Sequence, residues 1–149
     1  MLKQKLRDEL RQSMLARNEL KTSVLRMLLS AINYYEIQKG GAGYVATNDD
    51  VLSVIQKEAK QRKDSIEEFK KADRIELVDK ETKELAMLKA YLPQQLSEEE
   101  IRNLVKETLS QIGAKTMTDL GKVMGALMPK VKGKADGGLV SKIVREFLS

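Results

Sequence analysis

Aliphatic residues recur at every third or fourth position along nearly the whole chain, and that period admits helices and little else. Leu2, Leu6, Leu10 and Met14 step by four and form one narrow stripe. Val24, Leu25, Leu28, Leu29, Ile32 and Tyr35 form a wider one, which predicts the central helix of its unit. Thr47 to Asp50 offers caps and first-turn acids ahead of Val51, Ile55, Ala59, Ile66 and Phe69. A fourth helix is expected from about Ile75 to Tyr91, with Leu85, Leu88 and Leu92 inward and Pro93 as its stop. No stretch alternates as a strand would. Aromatic residues are only 4% of the chain, so the core must be aliphatic, which suits helix on helix. The fold class is all-α.

Beyond Pro93 the pattern restarts. Ser97 followed three residues later by Glu100 is a capping box, opening a helix with Ile101, Leu104, Val105, Leu109 and Ile112. Gly113 is its expected C-terminal cap. A short helix follows, with Thr118 as the expected cap and Leu120, Val123, Met124 and Leu127 inward, ended by Pro129 and Gly133. In the last helix Asp136 is the cap and Leu139, Val140, Ile143, Val144, Phe147 and Leu148 point inward. Proline, polar glutamines and a fresh helix start coincide at Leu92 to Leu96. The chain is therefore divided into an N-terminal part of about four helices, 1–93, and a small three-helix part, 94–149. The run Gly40-Gly41-Ala42-Gly43 reads as a flexible connection and lacks the Lys-Ser/Thr of a phosphate-binding loop.

The chain has no cysteine and no histidine. Disulfides, thiol catalysis, histidine triads and the commonest zinc sites are excluded with them. No EF-hand pattern is present, and no carboxylate pair lies in an apolar setting that would fit it for acid–base work. No catalytic residue, metal or cofactor is expected. The charged start MLKQKLRDEL has no apolar core of a secretory signal. The densest apolar stretch, around Val24 to Ile32, is broken by Arg26 and far too short to span a bilayer. A cytoplasmic protein without a membrane partner is the expectation.

Net charge is +5, and its distribution is uneven. Between 121 and 145 stand six cations, Lys122, Lys130, Lys132, Lys134, Lys142 and Arg145, against the single anion Asp136. In the same segment Gly121 and Gly125 lie four apart on one helical face, each costing up to about 1 kcal/mol relative to Ala. Close packing of a neighbouring helix or close approach of a ligand would offset that cost. The lysines are either ordinary solubilising charges or contacts to a polyanion; as a purely electrostatic feature they carry no sequence specificity. Asp136, as a cap, would occupy amides that a phosphate needs. A second charged stretch, Lys57 to Phe69, reads as a solvated face of i,i+4 pairs or as a basic ridge. Within it Arg62 continues the inward series Val51, Ile55 and Ala59, which places it semi-buried against a carboxylate.

Four segments together resemble the GatB/YqeY family, specifically its free-standing YqeY-like members. They are Val24 to Ile32, Lys57 to Phe69, Leu92 to Glu100, and Gly121 to Gly137. One departure is Ala72-Asp73-Arg74, where the family commonly has Ala-Gly-Arg; another is the glycine-rich connection 40–46. The resemblance implies a helical N-terminal part followed by a three-helix part akin to the C-terminal tail of GatB, a subunit of the glutamine-dependent amidotransferase acting on mischarged tRNA. It also implies a tRNA partner, with an aminoacyl-tRNA synthetase or amidotransferase as a protein partner. The family label of carbon–nitrogen ligase with glutamine as amido donor belongs to the full enzyme. This chain is too short to include an ATP-activating domain. The expected role is a non-catalytic tRNA-binding or tRNA-enzyme-associated adaptor. An amidotransferase component and an RNA-independent interaction module are the alternatives.

Overall fold

A computed structural model describes residues 1–149. It contains seven α-helices and no strand: α1 Leu2–Leu15, α2 Glu19–Gly40, α3 Asn48–Lys71, α4 Ile75–Lys89, α5 Glu98–Ile112, α6 Leu120–Val131 and α7 Gly137–Leu148. A single 3-10 turn, Met117–Asp119, precedes α6. The chain forms two compact units, Met1–Leu92 and Pro93–Ser149.

In the larger unit α2 packs against α1, α3 and α4, the central place its wide stripe predicts. Leu6, Val24, Leu25, Leu28, Ile32, Val51, Ile55 and Leu88 are buried in one cluster. A satellite cluster of Ala59, Ile66 and Leu85 joins α3 to α4 further along. The caps and first-turn acids expected at the start of α3 take the form of a capping box: the Thr47 side chain accepts from Asp50 N, and the Asp50 carboxylate accepts from Thr47 N.

Asp50 does more than cap. Its carboxylate also accepts from the Tyr35 hydroxyl at 2.8 Å, the Tyr44 hydroxyl at 2.6 Å and Lys39 Nζ at 2.9 Å. The Tyr44 hydrogen bond, followed by the Thr47 amide, holds this carboxyl well below the usual carboxylate range. Beside it Glu36 accepts from Ala46 N at 2.7 Å and pairs with the largely buried Lys3 at 2.7 Å. The glycine-rich connection is thus tied at both ends to one polar cluster, while Gly41 and Gly43 take the positive φ angles its turns need.

Between α3 and α4 the backbone turns through Asp73, at φ 55°. This is the position at which the resemblance implies Gly, and a left-handed conformation costs any residue with a Cβ. Asp73→Gly is expected to stabilise the larger unit by about 0.5–1 kcal/mol. Urea unfolding with an unchanged slope checks it.

In the smaller unit α5, α6 and α7 each pack on the other two around Ile101, Val105, Val123, Leu127, Val131, Val140, Ile143 and Val144. Ser97 and Glu100 form the expected capping box, and Gly113 closes α5 in the left-handed conformation at φ 74°. Two sequence expectations are corrected. Thr116, not Thr118, caps the turn into α6: its side chain and that of Asp119 form a capping box. Pro129 does not end α6, which runs on to Val131. Proline's fixed φ is helical, and in the last turn its missing N–H orphans only the carbonyl of the solvent-exposed Gly125. The chain turns at Gly133 instead, at φ 77°.

Candidate nucleic-acid interface

All six cations singled out in the sequence, Lys122, Lys130, Lys132, Lys134, Lys142 and Arg145, belong to the smaller unit and are exposed. Lys122 and Lys130 stand on α6. Lys132 is the helix's C-terminal cap, and Lys134 lies in the turn beyond it. Lys142 and Arg145 share the outer face of α7, opposite Val140, Ile143, Val144 and Leu148. Lys130, Lys134, Lys142 and Arg145 enter no ion pair. Their charge is turned outward rather than spent inside the fold.

The lysine turn is anchored by residues to which sequence reasoning gave no role. Gln95 Nε2 donates to the Gly133 carbonyl at 2.8 Å, and Leu96 N donates to the Lys134 carbonyl at 2.8 Å. Lys134 N and Ala135 N both return to the Val131 carbonyl, at 2.8 and 3.0 Å. The backbone that carries Lys132 and Lys134 is therefore fixed by hydrogen bonds on both sides. Asp136 caps α7, accepting from Leu139 N at 3.3 Å. That amide is occupied, so phosphate contact here would fall to side chains.

Gly121 and Gly125 also differ from one sequence expectation. No helix packs against them: a Cβ at either position would meet nothing within 4 Å. With Lys122 and Pro129 they form the smooth outward face of α6. Their cost in helix stability is repaid by no internal contact. The double change Gly121→Ala/Gly125→Ala is expected to stabilise the smaller unit by about 1–2 kcal/mol, as a rise in its unfolding midpoint would show.

The outer face of α7 also borders an open groove of about 650 Å³, lined by Met117, Gly138, Ser141, Lys142, Arg145 and Glu146, with Ser149 at one end. No cluster of acidic side chains in the chain is arranged to hold a metal ion.

The second charged stretch resolves differently. Arg62 is buried, as its place in the inward series predicts, and pairs with Glu84 and, at 3.2 Å, with Glu81. Both carboxylates come from α4; the i,i+4 residue Glu58 is not the partner. This arginine is structural. The larger unit also exposes an apolar strip on α2, Met27, Tyr34 and Ile37.

A four-helix unit joined to a three-helix unit with an outward-facing basic corner defines a class of small helical proteins. The chain belongs to the YqeY-like family, whose pattern matches residues 3–148. The resemblance seen in the sequence is thereby borne out. A curated relative from Pyrenophora tritici-repentis, named altered inheritance of mitochondria protein 41, mitochondrial, is 34% identical over 97% of this chain and 79% of its own length. Proteins of the same name from Saccharomyces cerevisiae and Clavispora lusitaniae are 30% and 32% identical, over 95% and 85% of this chain and 80% and 71% of theirs.

These names overturn the cytoplasmic expectation. It rested on the lack of a secretory signal and of a bilayer-spanning stretch, and both tests are blind to mitochondrial targeting, which uses amphipathic, arginine-rich segments without an apolar core. No helix is long and apolar enough to cross a membrane.

Proposed function

We propose that this chain is an RNA-binding adaptor of the mitochondrion that holds tRNA, or an RNA of similar shape, through the basic corner of its smaller unit. The observation that carries this reading is the set of exposed cations Lys130, Lys134, Lys142 and Arg145, which enter no ion pair, on α6, its following turn and α7, where the only anion between residues 121 and 145, Asp136, already caps a helix. Such a surface contacts phosphates and reads shape rather than base edges. The resemblance to the tail of GatB supports the choice of tRNA, and the names of the relatives support the compartment. The groups here suit holding a polyanion.

An electrophoretic shift with bulk tRNA tests the proposal. Micromolar binding at low salt that weakens steeply as salt rises is the expected result. No shift at low salt would end it. The strip of Met27, Tyr34 and Ile37 favours a second reading, an interaction module that works without RNA. Pull-down with and without ribonuclease separates the two, because only the second reading keeps its partners after RNA is digested.

A further inference from the structure

We infer that the groove on the outer face of α7 takes one unpaired nucleotide of a bound RNA, its base against Met117 and its phosphate against Lys142 and Arg145. This rests on the RNA-binding reading above. The groove combines two chemistries that a phosphate backbone alone would not require. Lys142 and Arg145, one helical turn apart and free of ion pairs, form a cationic rim. Met117, on the 3-10 turn, lines the same groove and is 44% exposed. A thioether contributes little to an anion but packs well on an aromatic ring. Bases inside a duplex hide their faces in the stack, and only a splayed nucleotide offers one.

The groove, about 650 Å³, is open to solvent, so a single nucleotide would lie along it rather than be enclosed. Gly138 keeps one side free of a side chain, and the Ser141 hydroxyl can both donate to and accept from a base edge or ribose. The one acid on the rim, Glu146, is engaged by Arg102 at 3.0 Å, which reduces its repulsion of a phosphate. The exposed thioether beside two cations favours a nucleotide, which offers a ring and a phosphate together, over a peptide that offers carboxylates alone.

The test uses the full chain with its seven methionine methyl groups labelled for NMR, and Met117→Leu to assign the Met117 signal. A single-stranded RNA hexanucleotide and a blunt RNA duplex are titrated separately. The Met117 methyl should shift upfield with the single strand, through the ring current of the stacked base, and stay in place with the duplex. Met117→Ala should weaken single-strand binding up to about tenfold, and Lys142→Ala/Arg145→Ala more than that. If RNA moves the signals of Met124 and Met128 on α6 but leaves Met117 unmoved, the groove assignment is wrong while RNA binding stands. A response to neither RNA removes the RNA-binding reading and this inference with it. An acidic peptide that shifts Met117 as strongly as the single strand would overturn the inference in favour of a protein ligand.

Discussion

Glu84→Leu should destabilise the larger unit by about 3–4 kcal/mol. The Arg62 side chain is 7% exposed and that of Glu84 4%, so the pair is cut off from water. Removing Glu84 leaves a buried guanidinium with only Glu81, at 3.2 Å and more exposed, to oppose it. Arg62 Nε already lacks a hydrogen-bond partner, so the site has no surplus of acceptors to draw on. Desolvating two charges costs nearly what their attraction returns, and the same physics predicts the outcome of removing both. Arg62→Met/Glu84→Leu should lie within about 1.5 kcal/mol of the parent. Chemical denaturation of the two variants and of Arg62→Met alone gives the coupling energy directly. A single variant within about 1 kcal/mol of the parent would show that the pair is hydrated.

Lys130→Ala/Lys132→Ala/Lys134→Ala should weaken tRNA binding about 100-fold near physiological salt, and by similar factors for unrelated RNAs of the same shape. Each lysine that neutralises a phosphate releases a counterion, so the slope of log affinity against log salt should fall by about 2–3. The fold should survive, because all three side chains are exposed and the turn is held by backbone groups, Gln95 and Leu96. A matched removal of charge from the larger unit, Lys57→Ala/Lys63→Ala/Lys83→Ala, should leave the slope within about 1 of the parent. Equal losses from both triples would mean that net charge matters and the corner does not.

What could be read from the sequence was mostly local. The box Ser97–Glu100 and the cap region Thr47–Asp50 were legible because the partners lie within one turn. The same spacing joins Thr116 to Asp119, whereas Thr118 has Gly121 three residues on, so the signal for the correct cap was present in the chain. The burial of Arg62 followed from its register on α3, but its partners did not, since Glu81 and Glu84 arrive from another helix. The Asp50 cluster was hidden for the same reason: Tyr35, Lys39 and Tyr44 converge only once the connection closes. At the candidate interface the cations were legible from composition and spacing. The pinning of their turn by Gln95, and the open space over Gly121 and Gly125, depend on tertiary placement and leave no periodic trace.

Ultraviolet crosslinking of this protein in intact cells, with identification of the RNA bound and the peptides attached to it, decides whether the basic corner holds tRNA. The main crosslinked species should be tRNA, with attachment sites within residues 117–145. Recovery of protein partners alone, or of RNA attached only to the larger unit, would contradict it.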